Sequence, residues 1–299
     1  MRPLLLLLVS FLLAPAFAQE GAPHGLRASA LAAPDLSYPA GPSRLSIFSA
    51  PRMALYKPDG DGPFPALVLM HQCGGLRSRA GWQNMAILDW ARAAVARGYV
   101  ALVVDSLGPR NVDTVCMGPR NGVNFARGVR DALLAGAQLA TLPYVDKDRI
   151  AVAGYSWGAM VTVLASSRRW AGALGDGFRF RAAGAFYPGC FTFKRAHAPD
   201  LEVVNPDIDR PLLVLVGGQD TETPAGDCIP RLERIQAAGA PVSVHLYPDA
   251  THCWDCKNLD GFSKVDARGS HVVYHYNEAD TRDSEHRLFD FLAQAMPHG

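Results

Sequence analysis

Ile150-Ala151-Val152-Ala153-Gly154-Tyr155-Ser156-Trp157-Gly158-Ala159 is the stretch on which the reading of this chain turns. Four apolar residues run like a buried strand, a G-x-S-x-G pentapeptide follows, and residues 159–167 continue with a helical pattern. A strand that becomes a helix within so few residues leaves no room for side chains at its corners, so glycine at 154 and 158 is a steric requirement. Such a corner pushes the Ser156 hydroxyl clear of the backbone, which makes Ser156 a candidate nucleophile.

The same alternation runs through the rest of the chain. Short apolar runs at 66–70, 100–104, 182–187, 212–216 and 242–247 are each bounded by Gly, Pro or Asp, as buried strands are. Helical patterns fill 82–97, 121–141, 229–238 and 281–295. This order predicts one α/β domain over 46–299, a doubly wound, mostly parallel sheet with helices on both faces. In such a sheet the loops leaving the carboxyl ends of the strands carry the chemistry.

A serine hydroxyl attacks only when a base takes its proton, and a histidine base needs a carboxylate to fix its tautomer. Asp220 follows the run at 212–216, and His252 follows the run at 242–247, so Ser156, Asp220 and His252 come in the order of a hydrolase triad. Glu222 and Asp227 share the Asp220 loop and are alternative acids. A tetrahedral intermediate also needs backbone donors for its oxyanion. Trp157, directly after the serine, supplies one N–H. The loop His71-Gln72-Cys73-Gly74-Gly75 supplies the other, from Cys73 or alternatively Gln72. Gln72, Tyr155 and Trp254 are candidate substrate contacts, with Trp157 as a further member of an aromatic wall, whereas Trp82 and Tyr187 fit ordinary core or rim packing better. Arg110 or Arg120 is a candidate for holding a substrate carboxylate, although a solvated loop arginine is the commoner role.

With 299 residues, 49% hydrophobic and 19% charged, the chain is globular in composition rather than disordered or fibrous. Its 29 basic and 28 acidic side chains nearly balance, which argues against nucleic acid as a partner. Arg2, an apolar run over 4–13 and Ala16-Phe17-Ala18 read as a signal peptide over 1–18. That run has about ten residues where a spanning helix needs roughly 20, so no membrane span is expected once the signal is cleaved. Residues 19–45, rich in Ala, Pro, Gly and Ser, read as an irregular N-terminal arm. Export places the protein in the periplasm or outside the cell, where six cysteines are expected to pair. Two other readings of Cys253-Trp254-Asp255-Cys256 are weaker. A redox dithiol normally opens a helix. A zinc site completed by His271 and His275 would put both histidines in a β-branched, strand-like segment. No metal and no cofactor is expected.

The chain resembles the dienelactone-hydrolase-like branch of the α/β hydrolases. The resemblance is carried by Gly62-Pro63-Phe64-Pro65-Ala66 running into the 71–75 loop, and by Gly98-Tyr99-Val100 running into Asp105-Ser106-Leu107-Gly108-Pro109-Arg110. Val145-Asp146-Lys147-Asp148-Arg149-Ile150 before the Ser156 corner and Tyr247-Pro248 before His252 complete it. It implies an α/β-hydrolase fold and a metal-free hydrolase of carboxylic esters or lactones acting through an acyl-enzyme. The namesake enzymes carry cysteine at the position of Ser156, so a general carboxylic-ester hydrolase is implied rather than one dedicated to dienelactone. The substrate is then a small molecule, and the protein a monomer or small homo-oligomer. A peptidase or acyl-amide hydrolase with the same triad, or a noncatalytic binding protein on this scaffold, are the alternatives. With the strands placed at these apolar runs, Cys73 and Cys116 fall on neighbouring loops, as do Cys190 and Cys228. Cys253 and Cys256 remain, and other pairings of Cys253 stay open.

Overall fold

The computed structural model describes residues 22–194 and 200–297; the signal segment expected over 1–18 lies outside the described residues. In chain order the first half is α1 (Ala22–Ala30), β1 (Ala54–Tyr56), β2 (Phe64–Met70), α2 (Met85–Ala96), β3 (Val100–Val104), α3 (Phe125–Leu139), β4 (Val145–Tyr155) and α4 (Trp157–Ala165). The second half is α5 (Arg168–Leu174), β5 (Ala182–Phe186), β6 (Thr192–Phe193), β7 (Leu201–Glu202), β8 (Leu212–Gly217), α6 (Ala225–Ala237), β9 (Val242–Tyr247), β10 (Ser263–Val265), β11 (His271–Val273) and α7 (Glu278–Ala295).

Every apolar run read from the sequence is a strand of one seven-stranded sheet, ordered β1-β3-β2-β4-β5-β8-β9. All neighbours pair in parallel except the edge strand β1, which lies antiparallel on β3. Continuous apolar runs suit strands covered on both faces. One face packs against α3, α4, α5 and α6 through residues such as Val129, Val161, Leu174 and Leu232. The other packs against α2 and α7 through Ile87, Leu88, Leu288 and Leu292. Ser156, Asp220 and His252 follow β4, β8 and β9, so parallel pairing delivers all three to one end of the sheet.

Local capping explains where element ends depart from the sequence reading. Asn84 accepts the Ile87 amide at 3.2 Å, so α2 starts at Met85 rather than at residue 82. The Ser167 hydroxyl accepts the Trp170 amide, so a separate helix, α5, opens at Arg168 beyond the pattern read over 159–167.

The arm expected to be irregular over 19–45 contains α1, which packs on α3 and α5. Arg127, fully buried on α3, holds the chain just beyond α1 by donating to the carbonyls of Ala30 (3.1 Å) and Ala33 (3.0 Å) and pairing with Asp35 (2.8 Å) and Asp131 (2.9 Å). Arg110 also pairs with Asp131, at 2.6 Å, and donates to the Pro34 carbonyl. Arg110 is therefore committed to the scaffold and is not free for a substrate carboxylate.

Candidate active site

Ser156 sits at the corner between β4 and α4 with φ 53° and ψ −113°. A Cβ on Gly154 would lie 2.1 Å from the Gly158 carbonyl oxygen, and one on Gly158 would lie 2.3 Å from that of Met70. Both glycines are needed because backbone from the neighbouring elements closes on them. The Ser156 amide donates to the Phe186 carbonyl at 3.0 Å, fastening the corner to β5.

His252 Nε2 lies 3.0 Å from Ser156 Oγ, and its Nδ1 lies 2.7 Å from Asp220 Oδ2. The Asp220 carboxylate is held by the amides of Glu222 and Thr223, each 2.8 Å from Oδ1, and by the Thr223 hydroxyl at 2.7 Å from Oδ2. Burial pushes the Asp220 carboxyl up, but the His252 ring and these donors outweigh it and hold the group below the ordinary aspartate range. Burial pushes the His252 imidazole down, while Asp220 and then Glu222 push it up, and the balance lies above the ordinary histidine value. Of the acids on this loop, Asp220 faces Nδ1, whereas Glu222 reaches the other ring edge, with Oε2 3.8 Å from Nε2.

The 71–75 loop is fixed from beneath by His71. This buried ring donates from Nδ1 to the Gln72 carbonyl (2.6 Å), accepts the Ser106 amide at Nε2 (3.1 Å) and stacks on Trp157. Burial keeps its imidazole below the usual value and so neutral. Gly75 N–H closes a turn onto the Gln72 carbonyl (3.0 Å), leaving the Cys73 N–H outside that bond. Trp157 is the first residue of α4, so its N–H lies outside the helical ladder. Cys73 and Trp157 line the same cleft as Ser156.

That cleft has a volume of about 1540 Å³. Phe125, Trp157, Met160, Phe191 and Phe193 form an apolar wall, and Met117 and Phe193 stand exposed on its rim. Leu26 of α1 also reaches it. The expected contacts Gln72, Tyr155 and Trp254 do not line it. Tyr155 alternates with Ser156 across the sheet and packs against Trp90 and Phe186 in the opposite core. Trp254 is fully buried against Tyr187 and Tyr247. The Gln72 amide points away, toward Tyr187 and the sulfurs of Cys253 and Cys256. Trp82 covers Gly74, and Tyr187 is buried with its hydroxyl donated to Asp255 at 2.7 Å, so of the aromatic set only Trp157 faces the cleft. Arg120 is exposed and lies off the cleft.

All six cysteines are paired, Cys73 with Cys116, Cys190 with Cys228 and Cys253 with Cys256. The last bridge ties up the two sulfurs that a zinc reading required, although Asp255 lies beside them. Sequence reasoning missed Thr223, Lys264 and Tyr274. Lys264 and Tyr274 come from the β10–β11 hairpin, whose approach to His252 is a product of tertiary folding that no local motif announces.

The sheet order, the strained serine corner after a central strand and the hydrogen-bonded Ser156, His252 and Asp220 define an α/β hydrolase. A dienelactone hydrolase family model matches residues 52–296, and the chain belongs to that family, which makes it a carboxylic-ester or lactone hydrolase. A Salmonella typhimurium protein provisionally named carboxymethylenebutenolidase is 24% identical over 242 residues, 78% of each chain. A Fusarium vanettenii protein provisionally named dipeptidyl-aminopeptidase B is 28% identical over 206 residues, which are 62% of this chain but only 22% of that one. Among solved structures, a Klebsiella pneumoniae protein provisionally described as a dienelactone hydrolase superposes with a TM-score of 0.58 at 19% identity, covering 81% of this chain and 93% of the other. Thermogutta terrifontis esterase 2 superposes with a TM-score of 0.60 at 15% identity, covering 86% and 94%.

Proposed function

We propose that the protein is an exported serine hydrolase that cleaves carboxylic esters or lactones bearing an apolar group, through an acyl-enzyme on Ser156. The observation that carries this reading is the chain of short contacts from Ser156 Oγ to His252 to Asp220, opening on a cleft with an apolar wall. Ser156 Oγ attacks the acyl carbonyl as its proton passes to His252 Nε2, and Asp220 stabilises the imidazolium at Nδ1. The N–H groups of Trp157 and Cys73 hold the oxyanion. The proton on Nε2 then goes to the leaving alcohol, and water resolves the acyl-enzyme. Three disulfides support export to the periplasm or beyond, in accord with the signal peptide read over 1–18.

Ser156→Ala is expected to lower kcat on p-nitrophenyl acetate by roughly 10⁴-fold or more while leaving the circular dichroism spectrum unchanged. A fluorophosphonate should label Ser156 in the parent. Retained activity in the variant, or a label elsewhere, overturns the assignment. Amide cleavage is the second reading, favoured by the aminopeptidase-named fungal relatives; a matched ester and anilide pair distinguishes the two.

A further inference from the structure

Glu222 is an acidic group beside His252 that the proposed reaction leaves unused. Its side chain is 13% exposed, lines the cleft beside Thr223, and is held at both oxygens. Lys264 donates to Oε1 at 2.8 Å and Tyr274 to Oε2 at 2.7 Å. Burial pushes this carboxyl up, but the charges of His252 and Lys264 and the two hydrogen bonds outweigh it, so the group stays ionised. A largely buried carboxylate held from two sides is costly to arrange in a cleft, and this one is aimed at the reactive ring edge. Oε2 lies 3.8 Å from His252 Nε2, too far for a direct hydrogen bond. One oxygen atom about 2.8 Å from each would bridge that separation with two hydrogen bonds.

We infer that Glu222 is a positioning residue for the hydrolytic water, holding it between its own Oε2 and His252 Nε2 so that deacylation, rather than acylation, depends on it. The inference rests on the acyl-enzyme reading. One O–H of the water points at Nε2 and the other at Oε2. As the water oxygen bonds to the acyl carbon, the first proton moves to Nε2 and the oxyanion forms. When the bond from the acyl carbon to Ser156 Oγ breaks, that proton passes from Nε2 to Oγ and the carboxylic acid leaves. Glu222 accepts a hydrogen bond throughout and takes no proton. During acylation Oγ is itself bonded to Nε2, so no water is required there and Glu222 has nothing to orient.

This predicts an unusual kinetic split for Glu222→Gln, an isosteric change that leaves Tyr274 a partner. The initial burst of p-nitrophenol from p-nitrophenyl acetate should keep a rate constant within about threefold of the parent. Decay of the acyl-enzyme should slow about tenfold or more, the effect of losing a hydrogen bond to a charged group. kcat and KM then fall together, and kcat/KM stays nearly constant on its high-pH plateau. Glu222→Asp, which keeps the charge, should recover part of the decay rate.

His252 is faced by Asp220 and Glu222 from the loop after β8, by Lys264 and Tyr274 from the hairpin, by Tyr187 after β5 and by Asp255 near its own loop. Removing the Glu222 charge should therefore move the pH limb of kcat/KM to lower pH. A fall of kcat/KM at constant KM, or an unchanged decay rate, overturns the inference. If the parent gives no burst and no fluorophosphonate adduct, the hydrolase reading itself has failed.

Discussion

His252 Nδ1 stands 2.7 Å from Asp220 Oδ2, with both side chains almost fully buried, and this pair sets the pH range of the site. Attack requires a neutral imidazole at Nε2. Burial favours that form, but the two carboxylates outweigh burial and raise the proton affinity. kcat/KM should therefore rise with pH through an inflection above the ordinary histidine value of 6.5. Asp220→Asn should lower kcat by roughly 10³–10⁴-fold, since the carboxylate also fixes the tautomer, and should shift the inflection to lower pH. A pH profile with p-nitrophenyl acetate checks both, and a parental inflection below 6.5 contradicts the balance described.

The Cys73–Cys116 bridge joins the loop after β2 to the long loop after β3, and the Val115 amide reinforces it by donating to the Cys73 carbonyl at 2.9 Å. A donor N–H acts on an oxyanion only while its position is fixed. A variant with Ser at both cysteines is expected to lose about 2–4 kcal/mol of stability and to lower kcat about tenfold or more, with a smaller change in KM. Urea unfolding and steady-state kinetics read the two effects separately. Unchanged kcat in a measurably less stable variant would show that the bridge serves the fold alone.

These two relationships also show what the sequence could and could not disclose. The strand runs, the glycine-flanked corner and the order of Ser156, Asp220 and His252 were legible because each depends on local chain geometry: period, steric exclusion at a tight turn and parallel delivery to one sheet end. The side-chain contacts were not. Tyr155 neighbours Ser156 in sequence yet packs on the opposite face, because strand alternation sends it there. The cleft wall is drawn from α3, α4 and the β6–β7 hairpin, and Glu222 gains its partners from the β10–β11 hairpin. Those meetings depend on how distant elements pack, and composition around Ser156 carries no trace of them. The role of the arm was hidden for the same reason, since its Ala- and Pro-rich residues offer backbone carbonyls to arginines from elsewhere.

Asp131 is the carboxylate on which that arm depends. It pairs with Arg110 and Arg127, all three nearly or fully buried, and its own carbonyl accepts the Tyr38 hydroxyl at 2.7 Å. Asp131→Asn keeps the shape but leaves two buried guanidinium groups short of charge. A loss of about 3–5 kcal/mol is expected, read by urea unfolding. Asp35 adds an acid-sensitive part. Hydrogen bonding from Arg130, with Arg127 adding, outweighs burial and lowers its carboxyl from 3.8 to about 2. Its contribution is complete above pH 3.8 and is lost as pH falls toward about 2. Asp35→Asn should flatten that acid limb, and an unaltered limb would remove Asp35 from the account.

His71 links both expected oxyanion donors. Its ring bonds the Gln72 carbonyl and the Ser106 amide, and it lies 5.7 Å from the Trp157 ring at an interplanar angle of 15°. Replacing it with alanine opens a cavity and strands the buried Ser106 amide, for an expected loss of about 3–5 kcal/mol. His71→Phe refills most of the volume and can still stack on Trp157, but it restores neither hydrogen bond. Packing alone would make the phenylalanine variant nearly normal. If the two bonds hold the Cys73 amide in place, His71→Phe should recover much of the stability while kcat stays about tenfold or more below the parent, because the loop is filled but no longer aimed. Melting temperature and kcat measured on the same two variants separate these effects, and full recovery of kcat by phenylalanine would assign His71 to the core alone.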